Sequence, residues 1–197
     1  MVTLYVVRHG RTEANATGRL LGRADPGLDS LGQRQAAALA EVLPARSRVI
    51  SSPLRRCQET AVFLSDQVET DPRLVELDYG ELDLQPLSEI PAEVWAAWRA
   101  DPGFRPPGGE TLEELAARVG GLLDELRDDS DTGEVILVTH VSPVKAALAW
   151  ALGVGVEVSW RSFVAPASIT RIAIGERGPS LLGFNADFHL RHLEGDH

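Results

Sequence analysis

Two apolar runs, each ending in a histidine, constrain the fold of this chain more than any other feature. The first, Leu4–Val7, leads directly into Arg8-His9-Gly10, and the second, Val135–Val138, leads into Thr139-His140. Short apolar runs of this kind are typical of buried strands. In α/β folds, ligands bind at the edge of the sheet where such strands end. We therefore expect Arg8, His9 and His140 to share one site, suited to holding phosphate.

Strand-like and helix-like segments alternate along the 197 residues without repeats or a convincing linker. This alternation predicts an α/β fold, a three-layer α/β/α sandwich around a mostly parallel sheet, with one domain over residues 1–197. Ser30 with Gln33 and Thr111 with Glu114 have the spacing of capping boxes, although Asp29 could also cap the first of these helices. The other predicted elements are helices from Ser52-Pro53 to about 64, around Trp95 and Trp98, and from Ser142-Pro143 to about 152, a strand at 48–51, and closing strands Ile169–Ile174 and Leu181–Phe184.

Composition limits the class of partner. The net charge of −10 argues against nucleic acid or an anionic membrane as the main partner. No apolar segment is long enough to cross a bilayer, and the N-terminal run is too short for a signal peptide. Cys57 is the only cysteine, so a reducing cytoplasm is expected, with Cys57 itself packed and inert.

The residues at the strand ends suit phosphoryl transfer. That chemistry needs a neutral nucleophile, cations and N–H donors around the phosphoryl oxygens, and an acid for the leaving oxygen. His9 is the candidate nucleophile, and the positive charge of Arg8 disfavours its imidazolium form. The predicted helix starts at Ser52-Pro53 and Ser142-Pro143 would offer free N–H groups to the same anion. Of two neighbouring arginines, Arg56 is preferred as the one that turns toward it.

With these motifs in place, the chain resembles the histidine phosphatase superfamily, the phosphoglycerate-mutase-like family, over almost its whole length. Arg8–Asn15 looks like the family's opening motif, and Ser52–Arg56 is similar to its phosphate-binding arginine segment. Leu74–Gly80 looks like the segment that supplies the acid, and Val138–His140 resembles the second-histidine motif. Two further segments are similar to the substrate loop with the first helix and to an ending common in the phosphatase branch: Gly18–Asp25 with Gly32-Gln33, and Asn185–Leu190.

The resemblance implies a phosphatase that acts on small phosphate monoesters without metal or cofactor. His9 would attack phosphorus, Glu76 would protonate the leaving oxygen, and water would then hydrolyse phospho-His9 with Glu76 as base. Arginine and imidazolium would supply the positive charge. Asp78 and Glu81 stay open as alternatives to Glu76. The site residues that the resemblance implies are, as catalytic groups, Arg8, His9, Arg56, Glu76 and His140, and, as phosphate-binding groups, Asn15, Gly22 and Val141.

The chain departs from the family pattern at several positions. Arg11 stands where the family often has Glu, and its charge near the mouth of the site would favour a more anionic substrate. Leu82-Asp83-Leu84 replaces the usual Trp-Glu-Gly, and Val141 replaces a glycine while keeping the backbone N–H. Segment 82–109 is expected to form a lid that selects the substrate. Four tryptophans are expected in the core or at an interface rather than against substrate: Trp95, Trp98, Trp150 and Trp160.

Other functions stay open. A cofactor-dependent phosphoglycerate mutase would return the phosphoryl group to its substrate, but such mutases generally have a longer insertion before the second histidine. A non-catalytic phospho-ligand-binding module would not need the acid and the nucleophile together. A metallohydrolase would use His9, His140 and Asp78. The expected partner is a small phosphate monoester, and a homodimer through an exposed strand or a tryptophan-bearing helix is a further hypothesis.

Overall fold

A six-stranded sheet forms the centre of the computed structural model, which describes residues 2–129 and 133–193. The strands are β1 (Val2–Arg8), β2 (Arg48–Ser51), β3 (Val68–Thr70), β4 (Glu134–Thr139), β5 (Ile169–Gly175) and β6 (Gly178–Ala186). Their order across the sheet is β3-β2-β4-β1-β5-β6. The pairs β2–β3, β2–β4 and β1–β4 are parallel, whereas β5 pairs antiparallel with β1 and with β6. The mostly parallel sheet and the pairing of the closing strands are confirmed.

Helices cover both faces of this sheet. They are α1 (Glu13–Ala16), α2 (Ser30–Val42), α3 (Arg55–Ala61), α4 (Ala92–Ala100), α5 (Leu112–Asp128) and α6 (Val141–Leu152). Short 3-10 turns lie at Pro72–Leu74, Gly80–Leu82, Val156–Arg161 and Phe188–Leu193. Within the ranges given above, none of the helices is long and apolar enough to cross a membrane.

Alternate residues of the central strands point to opposite faces and build two cores. Val6 of β1 belongs to the core that α5 and α6 cover, together with Leu115. Val7, the next residue, belongs to the core that α2 and α3 cover, together with Leu39. Because side chains alternate along a strand, each neighbouring pair can serve both layers. The predicted three-layer α/β/α sandwich is confirmed.

The register of the central strands brings the two motif histidines to the same edge. Arg8, the last residue of β1, lies opposite Thr139, the last residue of β4. His9 directly follows β1 and His140 directly follows β4, and the His9 N–H donates to the Thr139 carbonyl at 2.9 Å. Gly10 then passes so close to the backbone of Gly32 that a Cβ there would meet the Gly32 carbonyl oxygen. The glycine after His9 is therefore required by the approach of α2.

Several helix starts differ from the sequence prediction. Of the two predicted caps of α2, Asp29 is confirmed, because it accepts from the Gly32 N–H, and the capping box of Ser30 with Gln33 does not form. The capping box of Thr111 and Glu114 is confirmed, with both hydrogen bonds present.

The two Ser-Pro helix starts were wrong by one to three residues. The helix α3 begins at Arg55 rather than at Ser52-Pro53, and it ends at Ala61. The Ser52 hydroxyl lies 2.8 Å from His140 Nε2 and also accepts the Leu54 N–H, so it closes a turn instead of capping a helix. The helix α6 begins at Val141, with His140 at the N-cap position.

Candidate active site

A cavity of about 500 Å³ opens at the edge where β1 and β4 end. Arg8, His9 and Glu76 line it, together with Asn15 and Val141. Aromatic rings form another part of its lining: Tyr79, Trp95, Trp98, Trp160 and Phe163. As expected, Trp98 is buried in the core and the other three tryptophans pack against that core, although all but Trp150 also border the cavity. The Trp150 indole N–H donates to Asp124.

The hydrogen bonds of His9 determine its tautomer. His9 Nδ1 lies 2.7 Å from the carbonyl oxygen of Gly10, which can only accept, so Nδ1 carries the proton. Arg56 Nε donates to His9 Nε2 at 3.3 Å, and a guanidinium has no acceptor. His9 Nε2 therefore holds a lone pair. It is the nitrogen that can act as a nucleophile.

His9 is also neutral. The ring is 2% exposed. Burial lowers its pKa well below the ordinary value, and the charges of Arg56 and then Arg8 lower it further. The lowering effect expected from Arg8 is present, and burial and Arg56 contribute more. An unprotonated imidazole is the form that phosphoryl transfer to nitrogen requires.

His140 lies beside His9, with ring centroids 5.1 Å apart. Its Nδ1 accepts from the same Arg56 Nε at 3.2 Å, so its Nε2 carries the proton and donates to Ser52. Burial lowers the pKa of His140 well below the ordinary value, and the charge of Arg56 adds to this. The imidazolium expected as a source of positive charge is therefore not present at His140.

Arg56 is fully buried beside the two histidines, and its Nε donates to both rings. Its Nη1 donates to the Ala24 carbonyl and its Nη2 to the Gly22 carbonyl, both at 2.7 Å. The Gly22 N–H in turn donates to Asp83 at 2.7 Å. Within the described ranges, neither Arg56 nor Gly22 borders the cavity. Gly22 is thus placed to anchor Arg56 rather than to contact phosphate.

Arg8 and Asn15 do face the cavity. Arg8 donates through Nη1 to the Val164 carbonyl at 2.7 Å, and its buried Nε has no hydrogen-bond partner in the described part of the chain. Burial lowers the pKa of Arg8 to about 10, so it stays charged at neutral pH. The Asn15 Oδ1 accepts from Thr12, which leaves the two amide N–H donors of Asn15 for a ligand.

Glu76 is held by backbone N–H groups. It is 3% exposed, and its carboxylate accepts from Leu77 at 2.8 Å and from Val141 and Ser142 at 3.1 Å. The N–H groups at the start of α6 were expected to bind phosphate, but they bind this carboxylate. The N–H of Val141 is therefore already used by the protein.

At the start of α3, too, a carboxylate of the protein takes the place expected for the substrate anion. Asp25 accepts from the Arg55 N–H at 2.6 Å, so a side-chain carboxylate occupies the end that was expected to bind the substrate anion. Both predicted helix-terminal anion sites are thus filled from within the chain. Of the predicted phosphate-binding groups, Arg8 and Asn15 border the cavity with donors still available.

The alternative acids and Arg11 lie elsewhere. Asp78 accepts from the Gly80 N–H and lies 3.9 Å from Arg23, and Glu81 is exposed. Neither borders the cavity within residues 2–129 and 133–193. Arg11 pairs with Asp29 at 2.8 Å and does not border the cavity, so the expected contribution to substrate charge at its mouth is not seen.

Sequence reasoning missed three residues around the site. Ser52 was interpreted as a helix cap, whereas its hydroxyl accepts from the protonated Nε2 of His140. Asp83 was noted only as a departure from the family, yet it binds the N–H groups of Gly22 and Ala24. Lys145 is the only lysine in the chain, and it lines the cavity one helical turn after Val141. The signal for Lys145 was its position on the helix that follows His140.

Part of the segment predicted to form a lid borders the cavity. Leu87, Trp95 and Trp98 of segment 82–109 border the cavity. The loop at 101–109 supplies none of the lining residues in the described ranges. Any closing motion of this segment stays a prediction.

Comparison with known proteins agrees with this geometry. Residues 4–187 match the family described as the histidine phosphatase superfamily (branch 1). Phosphoserine phosphatase 1 of Hydrogenobacter thermophilus is 32% identical over 96% of this chain and 95% of its own length. The structure of a mycobacterial glucosyl-3-phosphoglycerate phosphatase complexed with VO3 is similar, with 32% identity, a TM-score of 0.85, and coverage of 95% of this chain and 100% of that one.

Other relatives carry different names. One from Yersinia enterocolitica, named a probable phosphoglycerate mutase, is 31% identical over 87% of this chain and 85% of its own length. The chain spans about half, 49%, of a bifunctional protein of Mycobacterium tuberculosis, to which it is 36% identical over 85% of its residues. Because one family covers nearly the whole length and the strand-end histidines meet beside one cavity, the chain belongs to the histidine phosphatase superfamily.

Proposed function

We propose that this protein is a phosphatase that hydrolyses small phosphate monoesters through a phosphohistidine on His9. The observation that carries the proposal is the buried, neutral His9, whose Nε2 holds a lone pair beside the cavity. In the first step Nε2 bonds to phosphorus and the bond from phosphorus to the leaving oxygen breaks. In the second step the oxygen of a water molecule displaces Nε2, which releases inorganic phosphate.

Charge on the phosphoryl oxygens is balanced by side chains. Arg8 and the Asn15 amide border the cavity and donate to these oxygens. Arg56 Nε donates to His9 Nε2, the nitrogen that bonds to phosphorus, so its guanidinium charge lies beside the phosphoryl group that is transferred. His140 shares the donor of Arg56 and holds it in position. These charges support a reaction without metal.

Glu76 is the proton donor and acceptor. It borders the cavity with His9, and three backbone N–H groups keep its carboxyl group from rotating away. Its proton passes to the leaving oxygen in the first step, and it takes a proton from the attacking water in the second. Asp78 and Glu81 lack this position.

Substitution of His9 tests the central step. His9→Ala should abolish turnover and the acid-labile phosphoenzyme formed with an aryl phosphate. Arg56→Ala should lower kcat strongly, whereas Arg55→Ala is the matched control, because Arg55 is exposed and pairs with Glu59 on the surface. Full activity of folded His9→Ala would refute the proposal.

The mutase alternative is tested with 3-phosphoglycerate and a trace of bisphosphoglycerate. Release of inorganic phosphate supports the phosphatase, and isomer formation without phosphate release would establish the mutase. A non-catalytic module would bind phosphate but turn over neither substrate. Loss of activity in excess chelator would restore the metallohydrolase hypothesis.

We also propose that the enzyme works in the cytoplasm on a diffusible substrate. Supporting this are the single cysteine, which is buried, and the net charge of −10, which repels nucleic acid and anionic membranes. The homodimer stays a hypothesis, testable by light scattering.

A further inference from the structure

The cavity is larger than a phosphoryl group needs. Its volume of about 500 Å³ falls within the roughly 300–1,000 Å³ that accommodates whole small-molecule ligands. If His9, Arg8 and Glu76 hold the phosphoryl group, as proposed above, the remaining space holds the alcohol part of the ester. The walls of that space should therefore show which alcohols fit.

One wall of this space is aromatic and rigid. Trp95 and Trp98 stack with ring centroids 5.9 Å apart and planes 14° from parallel. The ring of Trp160 meets both edge-on, at 6.3 Å and 6.0 Å. Phe163, which is 72% exposed, stands at the rim. Flat apolar faces of this kind favour a planar or apolar body over a fully hydroxylated one.

Lys145 places one cation in this apolar space. It extends from α6 into the cavity lining, and its Nζ donates to the Ser159 carbonyl at 2.8 Å. An ammonium has three donors, so two remain. Lys145 makes no ion pair with an acidic side chain in the part of the chain that is described. Glu76, the nearby carboxylate, is already engaged by backbone N–H groups.

The surroundings of Lys145 compensate its positive charge only in part. Burial lowers the pKa of Lys145, the negative charge of Glu76 partly offsets this by raising it, and the charge of Arg8 lowers it by a smaller amount. A partly buried ammonium with unused donors is stabilised when an anion enters beside it. The cavity therefore offers an aromatic face and, next to it, an unpaired positive charge.

We propose that Lys145 and the tryptophan wall form a subsite for the leaving group, which selects phosphate monoesters whose alcohol part carries a carboxylate on an apolar body. This inference rests on the proposed phosphatase activity, because that activity makes the ligand a phosphate monoester. The contacts that form the subsite do not depend on that activity. The Lys145 ammonium binds the carboxylate, and the rings of Trp95 and Trp160, which pack against the buried Trp98, cover the body that joins it to the phosphate.

A pair of matched substrates tests the subsite. The measured quantity is kcat/KM for 4-carboxyphenyl phosphate divided by kcat/KM for phenyl phosphate. The wild type should favour the carboxylated ester by roughly 10- to 100-fold, the range for one charge-assisted hydrogen bond. In Lys145→Met the ratio should fall close to that set by leaving-group chemistry alone, and Lys145→Arg should restore most of the preference.

The controls separate selection from structure. Trp150→Phe, on the same helix but outside the cavity lining, should keep the wild-type ratio. If Lys145 only ties α6 to the Val156–Arg161 turn, Lys145→Met will lower both substrates equally, and the proposal is overturned. A wild type that does not discriminate between the two esters overturns it as well.

Failure of the phosphatase activity is recognised separately. If the wild type hydrolyses neither ester, the proposed function fails, and the subsite is tested by binding instead. The dissociation constants of 4-carboxyphenylphosphonate and phenylphosphonate are then measured by tryptophan fluorescence, in the wild type and in Lys145→Met. Tighter binding of the carboxylated compound only in the wild type supports the subsite, and equal binding refutes it.

Discussion

Removal of the Arg118 side chain should destabilise the protein and misplace the catalytic carboxylate. Arg118, on α5, donates through Nε and Nη2 to both oxygens of Glu110, at 2.7 Å and 2.9 Å. It also donates to the Arg73 carbonyl at 2.5 Å and to the Glu76 carbonyl at 3.2 Å. Glu110 in turn accepts from the Asp78 N–H. The pair therefore clamps the backbone on both sides of Glu76.

The expected magnitude follows from burial. The side chains of Arg118 and Glu110 are 18% and 14% exposed. Breaking a fully buried pair costs about 3–5 kcal/mol, and an exposed pair contributes at most about 1 kcal/mol. Glu110 keeps the Asp78 N–H and lies 3.5 Å from Arg23, so part of its charge stays compensated. We expect Arg118→Leu to lower the free energy of unfolding by about 3 kcal/mol.

Urea denaturation and leaving-group kinetics provide the assay. Arg127→Leu is the matched control on the same helix, because Arg127 pairs with Asp124 at 40% and 48% exposure and should cost under about 1 kcal/mol. Movement of Glu76 should lower kcat/KM more for a poor leaving group than for a good one. The reasoning is refuted if Arg118→Leu is as mild as Arg127→Leu, or if both leaving groups lose the same factor.

Three further predictions concern other parts of the site. The folded pKa values of His9 and His140 lie below about 6.5, so in acid the unfolded chain binds more protons than the folded chain does. The free energy of unfolding should therefore fall as pH drops below about 6.5, by up to about 1.4 kcal/mol per pH unit for each histidine. Urea titrations between about pH 5 and pH 7 should show a smaller slope for His140→Gln. Asp83→Ala should lower kcat about tenfold, since Asp83 holds the loop whose carbonyls bind Arg56, whereas exposed Glu81→Ala should not. Cys57 should react with a thiol reagent only in denaturant, because its buried Sγ packs against His140 and burial raises its pKa; labelling of the native protein would contradict the burial.

The sheet and the meeting of the two histidines were predictable because both follow from local pattern. An apolar run ending in a polar residue fixes the strand and its end, and parallel neighbours bring their ends to one edge. The occupants of the helix N-termini were not predictable in this way. Glu76 reaches α6 across 65 positions of sequence, and Asp25 reaches α3 across 30. A helix start shows that N–H groups need an acceptor, but the chain's tertiary course decides which acceptor arrives.

The tryptophans show a second limit of sequence reasoning. A large aromatic residue at helical spacing indicates burial, and Trp98 is indeed only 1% exposed. Whether its buried face meets another core side chain or an empty space depends on how α4 lies against the Val156–Arg161 turn. Hydrophobic pattern does not encode that distance. The same holds for Lys145, whose neighbours come from a different segment.

The single N–H that Arg56 Nε shares between two imidazole rings has a consequence for turnover. Transfer of the phosphoryl group to His9 Nε2 would consume the lone pair that accepts this hydrogen. The Arg56 Nε–H would then donate to His140 Nδ1 alone or to an incoming oxygen. The hydrogen bonding of the Arg56 guanidinium would thereby differ between the free and the phosphorylated enzyme. Hydrolysis would return the lone pair to His9 Nε2 and restore the shared hydrogen bond.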